Sequence, residues 1–241
     1  AHGRPVSARV WVRENARVAS SRCVQTVVYS DGFGRELLTK TLCEPDPTDT
    51  SAAPPPRWLG TGRTVYNNKG LPVKKYEPYF SASDGYEGEA EEGLRTRGAT
   101  PVMHYDPPGR VVRTDMPDGT FSRVAFDGWC ESHEDANDTV LESRWRTPRT
   151  GAGEGDPDVR ARVLADLHAN TPTRIHTDAL GRPIAVVAHN AWKEGETREQ
   201  EFLVTRVELD VQGQQRKVVD ALGRLVQWSG FDMLGRALWT R

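Results

Sequence analysis

The chain has 241 residues, 32 Lys+Arg against 34 Asp+Glu, and a formal net charge of −2. That length holds one large domain or two small ones, and near-neutral charge removes the basic footprint of a nucleic-acid binder. No apolar run approaches the ~18 residues of a membrane helix, and the N-terminal AHGRPVSARVWVREN lacks the basic, apolar, small-residue order of a secretory leader.

Hydrophobic residues make up 37% of the chain, lean for a well-filled core, and 26 of the 32 basic residues are Arg. The sequence starts without Met and reads as an excerpt or a processed product.

In chain order, short β-rich runs alternate with turn residues, the pattern of an all-β meander. Gln25–Tyr29 and Arg35–Thr39 bracket a first turn, and Val111–Arg113 and Phe121–Phe126 surround one at Pro117-Asp118-Gly119. Ile184–Val187 and Phe202–Val207 flank a polar loop containing KEGETRE. One helix is expected at about 157–169: Asp156 is placed to cap it, Pro157 opens it, and Asn170 with Pro172 ends it. Val159, Val163, Leu164 and Leu167 form its apolar stripe. The loops at 44–57, 83–98 and 147–157 are respectively Pro-rich, acidic and Gly-rich. The same turn recurs on both sides of each loop, so residues 1–241 read as a single segment.

That turn is a repeat, Asp-x-x-Gly-Arg. It occurs at Asp31/Gly34/Arg35, Asp106/Gly109/Arg110, Asp178/Gly181/Arg182, Asp220/Gly223/Arg224 and Asp232/Gly235/Arg236, with degenerate copies at Asn67/Gly70 and Asp210/Gly213. The composition gives about 0.2 copies by chance, against five observed. Successive copies start 36, 39, 72, 32, 10 and 12 residues apart, and Phe126–Trp129 in the middle of the long gap reads as an eroded copy. Irregular spacing argues for strand pairs of variable length hung on a constant turn. Asp, or Asn, at the first position accepts a backbone N–H two residues on. Gly at the fourth supplies φ > 0 for a type I turn with a G1 bulge. The following Arg starts the next strand, where its fork reaches a carboxylate or stacks on a ring. Gly181→Val should therefore destabilise much more than Gly151→Val.

Other candidate sites read more plainly as structure. Cys23, Cys43 and Cys130 are expected as small buried hydrophobes, with a Cys23–Cys43 bridge as the alternative. ESHEDAND (131–138) reads as a solvated acidic loop, or alternatively a weak divalent-ion site, and counting from Asp135 the Gly an EF-hand needs is Val140. GTGRTV (60–65) reads as a strand-leading turn rather than a nucleotide loop, lacking Gly-Lys-Ser/Thr. No Gly-x-Ser-x-Gly elbow is present, so no catalytic residue, cofactor or metal is assigned. Trp11, Trp58, Trp129, Trp145, Trp192, Trp228 and Trp239 would cluster in the open in a carbohydrate- or protein-binding module, and spread through core and seams in a scaffold.

The segments ARVWVRENAR…QTVVYSDGFGRELLTKTLCEP, RWLGTGRTVYNNKGLPVKKYEPYFS, TPVMHYDPPGRVVRTDMPDGTFSRVAFD, HANTPTRIHTDALGRP, TRVELDVQGQQRKVVDALGRL and FDMLGRALW resemble, in order, the Rhs/YD-repeat region of B components of the Tc insecticidal toxin complex. Parts are shared with SpvB-type virulence proteins. The resemblance covers nearly the whole chain, weakening in the loops. It implies an all-β hairpin meander forming part of a curved shell, with one short helix. It further implies a non-catalytic structural segment of a shell that encloses a C-terminal toxic effector for delivery. The implied partners are the rest of the Rhs shell, the toxin-complex C component and the enclosed effector polypeptide. Secretion as part of a toxin complex without a visible Sec signal, and a cytoplasmic stage before release, follow from the same resemblance. A last strand ending just after a turn, at FDMLGRALWTR, is expected to leave an open edge. The alternative reading is a free-standing β-rich binding module.

Overall fold

The computed structural model describes residues 5–15, 17–18, 21, 23–51, 53–87, 100–150, 155–195 and 197–241. Seventeen strands and one α-helix are described, so the all-β architecture with a single short helix is the one observed. Contacts group the chain into two compact units, 1–103 and 104–241, with the division inside β8 (Val102–Tyr105). Nothing in the repeat marks this division, because the same turn occurs on both sides of it.

In the first unit, β1 (Val6–Arg13), β2 (Cys23–Ser30), β3 (Glu36–Cys43), β4 (Arg57–Thr61) and β7 (Tyr79–Ser81) form a five-stranded antiparallel sheet in that order. Period-two patterning sets its buried face. Val27 and Tyr29 of β2, Leu38 of β3, Trp58 of β4 and Tyr79 of β7 pack as the core. On β4 the partner of Tyr79 is Gly60, and a Cβ there would stand 2.8 Å from the ring, so the glycine makes room for the aromatic. Lys40 lies on the same face of β3 and is fully buried. Its Nζ donates to Ser81 Oγ at 2.8 Å and the Ser83 carbonyl at 2.7 Å, and pairs with Glu87 Oε1 at 3.0 Å. Between β4 and β7 the chain makes the hairpin β5 (Thr64–Tyr66) and β6 (Pro72–Lys75), and Lys74 of β6 meets Val102 of β8.

In the second unit the strands follow one another as an antiparallel meander: β9 (Val111–Asp115), β10 (Phe121–Phe126), β11 (Cys130–Glu134), β12 (Thr173–Thr177), β13 (Pro183–Glu194), β14 (Thr197–Leu209), β15 (Gln215–Val219), β16 (Leu225–Phe231) and β17 (Ala237–Thr240). Few of its apolar side chains are buried, chiefly Phe121, Val140, Ala169 and Ala191. The KEGETRE segment, expected as a loop, contributes Lys193 and Glu194 to β13 and Thr197–Glu199 to β14. From Ala188↔Leu203 to Glu194↔Thr197 the β13–β14 hairpin pairs only with itself. Near its tip, Lys193, Glu194 and Thr197–Glu201 are polar on both faces, which is why hydrophobic patterning missed it.

Helix α1 (Pro157–Leu167) starts as its sequence dictates, with Asp156 accepting the Asp158 amide. Its stripe does not form a buried face: Val163 and Leu164 are 54% and 55% exposed. Ionic and capping contacts fasten the helix instead. Arg146 grips Asp166 through two bonds of 2.9 and 3.0 Å. Arg198 donates to the Leu167 carbonyl, which the helix C-terminus leaves unpaired, and to that of Ala169 just beyond it. Among the described residues the loop at 44–57 contains no strand before Arg57, while residues 147–150 form a short 3₁₀ turn. Of the acidic loop, residues 88–98 lie outside the described residues, as does Gly151.

Candidate functional site

The recurring element is the turn, and its geometry is nearly constant from copy to copy. At Asp31 the Gly34 amide donates to the Asp31 carbonyl at 3.1 Å and the Asp31 amide to the Arg35 carbonyl at 3.0 Å. Asp31 Oδ1 accepts the Phe33 amide at 2.8 Å and the Arg35 amide at 2.9 Å. The same backbone pair closes the turns at Asn67, Asp106, Asp178, Asp210, Asp220 and Asp232. Asn67 Oδ1 takes the Lys69 and Leu71 amides at 2.9 and 3.0 Å, so an amide replaces the carboxylate without loss of either bond. Asp210 Oδ1 does the same with Gln212 and Gln214. At Asp106 the residue two positions on is Pro108, which has no N–H to give, and Gly109 donates instead at 2.9 Å. Gly34, Gly70, Gly109, Gly181, Gly213, Gly223 and Gly235 all have φ between 74° and 97°. The adjoining ladders slip by one residue at six of these turns, the bulge that a G1 geometry demands.

Phe126–Trp129 also makes a hairpin, with Asp127 Oδ1 accepting the Trp129 and Cys130 amides at 2.7 Å each. Met116–Thr120 has the same backbone bonds and a Gly119 at φ 89°, with Met where the others carry Asx.

The Arg closes the unit on its own aspartate. Arg35, Arg110, Arg182, Arg224 and Arg236 each donate Nε to Oδ2 of the Asp four residues earlier, at 2.7–2.8 Å. One carboxylate thus takes backbone amides on one oxygen and a guanidinium on the other. Between them these bonds hold the carboxyls of Asp31, Asp106, Asp178, Asp220 and Asp232 below their ordinary range. At Asp178 and Asp220 the guanidinium is the main cause, and at Asp232 the Arg236 amide leads. At Asp31 and Asp106 desolvation pulls upward and the hydrogen bonds outweigh it.

A depressed carboxyl contributes stability above its unfolded value of about 3.9, and that contribution is lost as pH falls through the folded value. The triple variant Asp178→Asn/Asp220→Asn/Asp232→Asn keeps the amide-accepting oxygen, as Asn67 does, but cannot titrate. Its unfolding free energy should fall less steeply than wild type between pH 4.5 and 2.5 in denaturant titrations. Parallel acid limbs would contradict the pairing.

In the second unit, the turns at 106–110, 127–130, 178–182, 210–214 and 232–236 each join an even-numbered strand to the next, so they share one edge of the meander. Successive turns on that edge are two strands apart, roughly 10 Å, within the reach of an arginine. The fifth residue of one turn does meet the next. Arg110 lies 3.9 Å over the ring of Phe126, just before Asp127. Arg182 Nη1 stands 3.0 Å from where a Cβ on Gly213 would be, and Gln214 Nε2 stands 2.7 Å from the same point on Gly235. In the first unit Arg35 lies 4.5 Å over Tyr66 and against Gly70. At these positions glycine serves twice, giving positive φ and leaving room for its neighbour's side chain. The spacing reveals the first role. The second depends on which turns are adjacent, and sequence alone did not show it.

The other candidates are placed as follows. Cys23, Cys43 and Cys130 are free and are not buried: Cys23 is exposed and the others half-exposed, because each sits at a strand end. In ESHEDAND, Asp135 Oδ1 takes the Asn137 and Asp138 amides, and Asp138 takes the Asp135 and Thr171 amides. Those carboxylates are spent on backbone, and among the described residues no three possible ligands converge. GTGRTV spans the end of β4, a Gly62 at φ 68° and the start of β5. Trp58 is in the core, and Trp228 and Trp239 pack edge to face at 5.0 Å across β16 and β17. Trp11, Trp129 and Trp192 are exposed, and among the described residues no ring contact joins them to another tryptophan.

These features define an antiparallel β-meander of Asx-Gly hairpins, held along one edge by contacts between turns. No family model and no curated protein matches the chain. Among solved structures, it is similar to a chain of the Photorhabdus luminescens Tc holotoxin pore, with 24% identity and a TM-score of 0.74 over 96% of this chain and 11% of that one. It is also similar to TcdB2-TccC3, at 22% identity and TM-score 0.64 over 99% of this chain and 13% of that one. TcdB2-TccC3 without its hypervariable C-terminal region gives 23%, 0.65, 97% and 12%. The chain therefore has the fold of a segment of these Tc toxin chains, as the resemblance in sequence implied, and spans about an eighth of their length or less.

Proposed function

We propose that this chain is a non-catalytic segment of a toxin-complex B-type protein, forming part of an Rhs-repeat shell around a toxic effector polypeptide. The observation that carries this reading is the edge row of turns, in which the fifth residue of one turn reaches the next at Arg110/Phe126, Arg182/Gly213 and Gln214/Gly235. Such a strip gains stability from neighbour to neighbour, as repeat architectures do, and extends without a closed core. Burial points the same way. Turn tips ordinarily carry polar residues, yet Leu180, Val211, Met233 and Leu234 stand exposed along one edge, Val211 at 97%. A wall segment leaves such surface for the rest of its shell to cover.

The partners in this reading are the rest of the shell, the C-type component and the enclosed effector. It needs no cofactor, and no described helix is long and apolar enough to cross a membrane. The protein would be released as part of a secreted complex after a cytoplasmic stage. Protease protection tests it. In the assembled complex the effector should resist a protease that digests it when free, and opening the complex should expose it. Equal digestion inside and outside the complex would overturn enclosure. Specific glycan or protein binding through Trp11 or Trp129, with no effector protected, would establish a binding module instead.

A further inference from the structure

We infer that the cavity beside β5 at Arg63 is a binding site for one carboxylate group. The cavity measures about 390 Å³, and Arg35, Arg63, Tyr66, Asn67 and Tyr86 are among its walls. Arg63 is only 3% exposed. Its guanidinium donates one hydrogen bond, from Nη1 to the Tyr86 hydroxyl, and lies 4.6 Å over the Tyr86 ring. Its Nε is buried and has no partner. Among the described residues no carboxylate comes within ion-pair distance of it.

The described acids on or next to the cavity wall are already engaged. Asp31, also on the cavity wall, gives Oδ2 to Arg35 Nε at 2.7 Å and to Nη2 at 2.6 Å. Glu87 pairs with Lys40 and does not line the cavity. Arginine stays charged at any physiological pH, and a buried guanidinium without an anion is strongly disfavoured. Asp31 neutralises Arg35, so among the described residues the cavity wall leaves one positive charge, that of Arg63, without a counter-charge. One monoanion balances it, whereas a phosphate dianion would overshoot. A planar fork matches a carboxylate best, and the rings of Tyr66 and Tyr86 leave apolar wall for the carbon that bears it. The carboxylate belongs either to an acidic side chain of a polypeptide or to a free small acid. This inference stands on Arg63 alone and does not depend on enclosure.

Titrating the protein with sodium acetate against sodium chloride, at equal ionic strength and pH 7, tests it. Acetate is expected to raise Tm saturably and to shift the ring signals of Tyr66 and Tyr86 in NMR spectra, with chloride doing neither. Tyr86→Phe, which removes the one anchor of Nη1, should weaken acetate binding about fivefold. Arg63→Met should abolish the response without lowering Tm in chloride, since it removes an unpaired buried charge. A capped Gly-Glu-Gly peptide saturating below the acetate concentration assigns the group to a polypeptide, and equal saturation assigns it to a free acid. Identical Tm in acetate and chloride would overturn the site. So would an acetate response that survives unchanged in Tyr86→Phe and Arg63→Met. Should Arg63→Met not fold, the Tyr86→Phe titration decides.

Discussion

Lys40→Met is expected to cost about 3–5 kcal/mol of stability, the penalty of breaking a buried ion pair by removing one partner. Lys40 is fully buried on β3, and its ammonium pairs with Glu87 Oε1 and donates to Ser81 Oγ and the Ser83 carbonyl. Methionine fills nearly the same volume, so the loss comes from an uncompensated carboxylate and not from a cavity. Glu87→Gln alone should also destabilise, by leaving the ammonium without its counter-charge. The double variant Lys40→Met/Glu87→Gln should recover most of the loss, because replacing both partners of a buried pair by uncharged groups is often close to neutral. Chemical denaturation of the four proteins completes the cycle. The coupling should persist in 1 M salt, since buried pairs are little screened. Additive single-variant losses would show that Lys40 and Glu87 do not act as a pair.

The second large effect concerns two glycines of one turn. Gly32 and Gly34 both have open space where a Cβ would project, and only Gly34 has positive φ, at 80°. Gly34→Val should destabilise by about 2 kcal/mol or more, the cost of a β-branched residue held in the left-handed region. Gly32→Val should stay within about 0.5 kcal/mol of wild type, as surface substitutions away from special geometry do. Gly181 at φ 74° has equally open surroundings and should behave as Gly34 does. Gly32 is the better control, since Gly151 lies outside the described residues. Equal thermal shifts for Gly32→Val and Gly34→Val would remove positive φ as the reason glycine stands in the motif.

The turn was legible because its two requirements fall on residue types with few other uses at that spacing. An Asx oxygen two residues from an amide and a Gly at the fourth place leave a mark at Asp178-Ala179-Leu180-Gly181 that composition does not blur. The start of the helix was legible for the same reason, through Asp156 and Pro157. Its apolar stripe misled, because Val163 and Leu164 are placed at helical spacing yet face outward, and the helix is fastened by Arg146 and Arg198 from distant parts of the chain.

Lys40 left a signal that went unread. Leu38, Lys40 and Leu42 share one face of a strand, so strict alternation already puts the lysine on the core side. Arg63 left less, since its burial depends on Tyr86, more than twenty residues away. The contacts of Arg182 with Gly213 and of Gln214 with Gly235 needed the order of strands, which fixes the turns that stand side by side.

Electron cryomicroscopy of the protein mixed with the proposed C-type component and effector tests the central claim most directly. The account predicts that this meander lies in the wall of a closed shell, with effector density inside and its apolar turn tips covered by neighbouring shell. A meander that projects from the particle with those tips open to solvent, or a shell wall built without it, would contradict the account.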